Sequence, residues 1–116
     1  MDIIITENQE LKGKQMIVFF LLDKQKYNLV ETDDDDTIYF VKKIGDEYAE
    51  IRFDKDDGGC RFSYDLISFL STLTGFERSE VQELTSNWVE HTLQMKVKYN
   101  FAKFSTTALR LNIPYK

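Results

Sequence analysis

The chain has very little of what most catalytic or metal-binding domains need: one cysteine, one histidine, one proline and five glycines in 116 residues. A single cysteine, Cys60, excludes an internal disulfide framework. Cys60 and His91 together fall short of the four sulfur or nitrogen ligands of a structural zinc site. The longest apolar run, residues 16–22, is seven residues, against the ~20 that a membrane-crossing helix needs. The first residues show no basic start and no small-residue cleavage site, so no secretory leader is expected and a cytoplasmic location follows. A phosphate-cradling loop is missing too, because Gly58-Gly59 has neither the spacing nor the following lysine.

What is present is a core-forming composition with an uneven charge. Apolar residues make up 42% of the chain, nine of them phenylalanine, and charged residues 30%, which reads as one folded domain over residues 1–116. The net charge of −5 is polarised along the sequence. Residues 31–65 carry twelve acids against five bases, while residues 93–116 carry five bases and no acid.

Patterning predicts an α+β fold: a mainly antiparallel sheet, built as a meander plus a C-terminal hairpin, with two consecutive helices packed on one face. Strands are expected at residues 2–6, 27–31, 37–43 and 47–54, the last with Ala49, Ile51 and Phe53 on one face and Glu50 and Arg52 on the other. Residues 16–22 are apolar on both faces and favour a central strand. The competing reading is a helix over residues 7–22 with Thr6 and Gln9 as a capping box, which Gly13 weakens by about 1 kcal/mol against alanine.

Two helices follow the acidic segment. Ser63 is placed to cap the first, with Leu66, Ile67, Leu70 and Leu73 as its apolar stripe and Gly75 as its left-handed stop. Ser79 and Gln82 form a capping box for the second, in which Val81, Leu84 and Trp88 share a face. A hairpin is expected to close the chain. Its first arm has Leu93, Met95, Val97, Tyr99 and Phe101 alternating with polar residues, and its second has Leu109, Leu111, Ile113 and Tyr115, with Pro114 at an edge.

The candidate site residues are Asp33, Asp34, Asp35 and Asp36 with nearby Glu31. Four adjacent like charges belong on the surface, either as a solvated turn or as an anionic face that steers a basic partner. Asp46, Glu47, Asp54, Asp56 and Asp57 extend that face if the turns meet at one end of the sheet.

Residues 54–65, with Asp54, Asp56 and Asp65 at the first, third and last positions and Gly59 at the turn, resemble the twelve-residue calcium loop of the EF-hand family. The resemblance implies those three carboxylates and the Cys60 carbonyl as ligands. Gly58, Arg61 and Phe62 depart from the pattern, and the stretch before the loop alternates like a strand. The residues are therefore read as a glycine-rich loop leading into a helix, with no metal and no cofactor expected.

Cys60 and His91 are the only residues from which a nucleophile–base pair of the thiolate–imidazole kind can be drawn, and no local signature surrounds them. Lys96, Lys98, Lys103 and Arg110 interleave with Tyr99, Phe101 and Phe104. Their alternation sends lysines and aromatics to opposite faces, which argues against direct nucleic-acid binding.

The expectation is thus not an enzyme but a small acidic protein-binding module. The leading reading is an inhibitor of the immunity-protein type that masks a basic partner surface, such as that of a nuclease toxin. The alternatives are a mobile-element anti-defence protein mimicking nucleic-acid charge, a calcium module, and a structural or adaptor subunit able to form a homodimer. No membrane partner is expected.

Overall fold

The computed structural model describes residues 7–31, 36–103 and 109–111. The expected strand at residues 2–6 lies outside them, as do Thr6, Asp33, Asp34, Asp35, Phe104, Ile113, Pro114 and Tyr115.

The chain begins with a helix, α1 (Glu7–Lys24), where a strand was favoured over residues 16–22. The physical reason is the stretch ahead of the apolar run. Glu10, Leu11, Lys12, Lys14, Gln15 and Met16 are strong helix formers, and together they outweigh the cost of Gly13. The run is apolar all round, yet only Val18 and Leu22 are fully buried, while Met16, Ile17 and Phe20 face outward.

Four strands follow as a meander: β1 (Asn28–Glu31), β2 (Thr37–Val41), β3 (Ile51–Asp54) and β4 (Gly59–Ser63), each antiparallel to the next. Helices α2 (Tyr64–Thr74) and α3 (Arg78–Leu93) then lead to β5 (Tyr99–Lys103), which completes a five-stranded sheet in the order β1-β2-β3-β4-β5. The fold is α+β with a mostly antiparallel sheet.

Strand β5 differs from expectation. It runs parallel to β4, with Gly59 opposite Tyr99 and Ser63 opposite Lys103. A parallel neighbour must start at the end of the sheet where β4 begins, and the long connection through α2 and α3 carries the chain back there. Residues 93–98, expected as strand, instead end α3 and form the link to β5. The second arm of the expected hairpin pairs elsewhere. Ala49 N donates to Leu109 O at 3.0 Å, Leu111 N donates to Glu47 O at 2.9 Å, and Tyr48 bridges Arg110.

The core has two parts. On the helix face, Ile38, Phe40, Ile51, Phe53, Cys60 and Phe62 of the sheet pack against Val18 and Leu22 of α1, Leu66, Ile67 and Leu70 of α2, and Val81, Leu84, Trp88 and Val89 of α3. Each such fully buried large side chain stabilises the fold by roughly 1.5–3 kcal/mol. On the other face, Tyr39, Val41, Ala49, Leu109 and Leu111 form a smaller cluster. Ala49 therefore lies opposite Ile51 and Phe53 rather than beside them. The alternation slips at Glu50, which accepts a hydrogen bond from Tyr27 Oη next to the aromatic group of Tyr27, Phe40 and Trp88.

The helix boundaries agree with the sequence in α2 and depart from it in α3. Ser63 Oγ accepts from Leu66 N at 3.1 Å, and Gly75 closes α2 at φ +77°, a conformation that favours glycine. Leu73, expected in the apolar stripe of α2, is exposed. Helix α3 starts two residues earlier than the Ser79–Gln82 box requires. Its cap position is Glu77, and Gln82 instead donates to Asn100 Oδ1 of β5 at 2.8 Å.

Candidate functional site: the acidic end of the sheet

In a meander, alternate turns fall at opposite ends of the sheet. The β1–β2 and β3–β4 turns therefore share one end, and the β2–β3 connection occupies the other. Register fixes this: Glu31 pairs with Ile38, and Thr37 pairs with Asp54. Lys55 N donates to Asp36 O at 2.9 Å, so the two acidic turns are hydrogen-bonded to each other. With strands about 4.8 Å apart, the ends of β1 to β4 span about 14 Å.

Glu31, Asp36, Asp56 and Asp57 are exposed along this edge. Asp46 and Glu47 are not part of it; they belong to the opposite end, where Lys43 N donates to Asp46 Oδ2 at 2.9 Å. Gly45, at φ +104°, shapes that second turn.

One lysine sits inside the acidic edge. Lys55 Nζ lies 2.6 Å from Glu31 Oε1, and this contact, with the nearby charge of Asp36, holds its ammonium above the ordinary lysine value. The far side of the edge is closed by β5. Lys98 N donates to Gly58 O at 2.8 Å, and the Lys98 side chain lies where a Cβ on Gly58 would sit. Asp57 accepts from the Tyr99 hydroxyl and from Gly59 N, and these bonds hold its carboxyl below the usual aspartate range. The same bond holds the Tyr99 phenol up. Gly59 leaves room for the Tyr99 ring, whose Cε2 would stand 2.7 Å from an added Cβ.

Asp54 belongs to the structure beneath this edge rather than to its surface. It is buried on the sheet face opposite the helices. Its Oδ1 accepts from Thr37 Oγ1 and Arg52 Nε, each at 3.1 Å, and its Oδ2 lies 2.6 Å from Arg61 Nη1. Arg52 also stacks its guanidinium over the Tyr39 ring at 5.7 Å. Sequence reading missed this cluster. The signal was there: Arg52 and Asp54 share a strand face at a spacing of two, and a tight turn sets Arg61 opposite Arg52.

The calcium-like stretch forms no loop. Residues 54–65 are a strand end, a tight turn, the whole of β4 and the first turn of α2. Five residues of β4 carry the chain about 16 Å away, so Asp65 sits at the other end of the sheet from Asp54. Among the described residues, no group of three or more histidines, cysteines, aspartates or glutamates is arranged to hold a metal ion.

Cys60 is fully buried in the helix-face core. Burial, with the charge of Asp54 adding to it, pushes its thiol well above the ordinary range. His91 is exposed in the last turn of α3, with its ring 5.6 Å from that of Phe19. A sealed thiol and a surface imidazole do not make a nucleophile–base pair. Lys96, Lys98 and Arg110 are exposed, the two lysines before β5 and the arginine at its bridge to Tyr48, so they do not line one hairpin face.

No family model matches the chain, and no curated protein or solved structure matches it. No described helix is long and apolar enough to cross a membrane.

Proposed function

We propose that the chain is a protein-binding module whose acidic sheet end masks a basic surface on a partner, acting as an inhibitor of the immunity-protein type in the cytoplasm. One observation carries this reading: the two acidic turns converge, bonded to each other through Lys55 N and Asp36 O, so that Glu31, Asp36, Asp56 and Asp57 line one edge. Asp33, Asp34 and Asp35 belong to the same connection by sequence and add to its charge. Binding rather than catalysis fits a chain whose one thiol is sealed and whose one imidazole stands apart on the surface.

An edge of net negative charge accelerates encounter with a basic surface and selects against acidic ones. The test compares the wild-type chain with a variant carrying asparagine at 33, 34, 35, 36 and 56, positions outside the buried network of Asp54. Basic proteins captured from the source organism serve as partners, and association rates are measured across salt concentrations. The reading predicts an on-rate at low salt reduced by about 10-fold or more, with a shallower salt dependence. An unchanged rate and slope would reduce the acidic turns to solvated loops.

A further inference from the structure

Helix α1 presents an apolar face that the fold leaves outside. Met16 is 73% exposed, Phe20 61% and Ile17 47%, and beside them Gly13 has nothing within 4 Å of an added Cβ. Positions 13, 16 and 20 follow the three–four spacing of a helix–helix seam, with position 17 on its flank. The charges bordering this seam are arranged for self-pairing.

On one flank lie Glu10, Ile17 and Lys24, each seven residues from the next and so two turns apart on the same side. On the other flank lie Lys12 and Asp23, eleven residues or three turns apart. A two-fold axis through Ile17, perpendicular to the helix, sets each residue against the one equally far on the other side. Glu10 then faces Lys24 of the second copy, and Ile17 meets its own counterpart. Lys12 comes within one residue of Asp23 of the second copy, and Phe20 comes over the open position at Gly13. Both flanks are complementary in the antiparallel arrangement. In a parallel one, each of these four charges would meet its own kind. Glu10 and Lys24 are exposed, Lys24 Nζ lying 5.1 Å from the Phe20 ring centroid on its own helix, whereas Asp23 already accepts a hydrogen bond from Trp88 Nε1 at 2.9 Å, so the Glu10–Lys24 flank carries the pairing.

We infer that the outer face of α1 is a homodimer interface, in which two copies pair antiparallel about Ile17. This surface is separate from the acidic end of the sheet, and the inference stands whether or not that end binds a partner. A single pair of helices about 27 Å long buries less than the ~800 Å² per partner of a standard interface. The expected dimer is therefore weak, with a dissociation constant of about 10–100 μM.

Sedimentation equilibrium of the full chain from about 1 μM to 1 mM, near 0.15 M salt, tests this directly. The wild type should pass from monomer to dimer across that range, and a wild-type chain that stays monomeric throughout overturns the inference. Phe20→Glu, at an exposed position, should keep the circular dichroism of the wild type and weaken association by at least 10-fold. A Phe20→Glu chain that dimerises normally places the contact elsewhere and overturns the inference.

The charge pairs give an independent control. Glu10→Lys or Lys24→Glu alone creates two like-charge contacts across the axis and should weaken the dimer by about 10-fold, whereas the double swap should restore it. Failure of the double swap to recover affinity overturns the antiparallel pairing. Binding of a still-monomeric wild type to anionic lipid vesicles through Phe20 would assign the face to a membrane surface, and would overturn it as well.

Discussion

The arginine–aspartate–arginine cluster makes the most quantitative forecast. Replacing Asp54 with asparagine keeps the size of the side chain but removes the charge between Arg52 and Arg61, which stand directly opposite each other on β3 and β4. The carboxylate side chain is 9% exposed, and it meets Arg52 Nη2 at 3.1 Å and Arg61 Nη1 at 2.6 Å. Breaking a fully buried pair costs about 3–5 kcal/mol. The arginine side chains retain 23% and 28% exposure, so water screens part of the stranded charge. The expected loss is then about 2–3 kcal/mol, including the weakened bond from Thr37 Oγ1. Urea unfolding at neutral pH measures it.

A double-mutant cycle with Arg61→Met separates the pair from the rest, with an expected coupling of about 1–2 kcal/mol. A loss below about 0.5 kcal/mol, or strictly additive single changes, would show that the cluster behaves as an exposed ion pair of little consequence. The result also bears on function, since a carboxylate holding two arginines is committed to the sheet and is not available to a cation or a partner.

Two groups packed in or against the core give direct forecasts. Tyr27 is enclosed by Phe40 and Trp88; burial first, then the Glu50 carboxylate, raises its phenol far above the ordinary 10.0. The unfolded chain ionises there first, so the contribution of Tyr27 to stability is complete below pH 10 and declines as pH rises beyond it. Tyr27→Phe should flatten the alkaline limb of a melting-temperature profile while costing about 1 kcal/mol at neutral pH; an alkaline limb that is unaltered would show that other groups set it. Cys60, sealed in the core, should react with an aromatic disulfide only at the rate of global opening. Cys60→Ser should destabilise by about 1–3 kcal/mol, and rapid modification of the native thiol would contradict its burial.

The local features that the sequence determined are those carried by near neighbours. Ser63 reaches Leu66 N three residues on, Gly75 supplies its own left-handed conformation, and the strands around residues 28–31, 37–41 and 51–54 announce themselves by β-rich composition between turns. Residues 16–22 show where that kind of reading fails. An apolar run without periodicity fits a buried strand or a helix; the helix formers ahead of it and the packing of Val18 and Leu22 into the helix-face core together decide between them. Leu109 and Leu111 were legible as buried and Arg110 as exposed, but not their pairing with residues 47–49, because alternation states a face and never a partner.

The acidic segment divides in the same way. Its composition fixed a concentration of negative charge in residues 31–65 and placed it in turns, since adjacent carboxylates repel and must be solvated. Tertiary structure sorted those charges: antiparallel register brought Glu31, Asp36, Asp56 and Asp57 to one end, sent Asp46 and Glu47 to the other, and drew Asp54 inward between two arginines. Charge is a property of each residue and can be read along the chain. Which charges share a surface depends on which strands pair, and that is decided only when distant segments bury their apolar faces together.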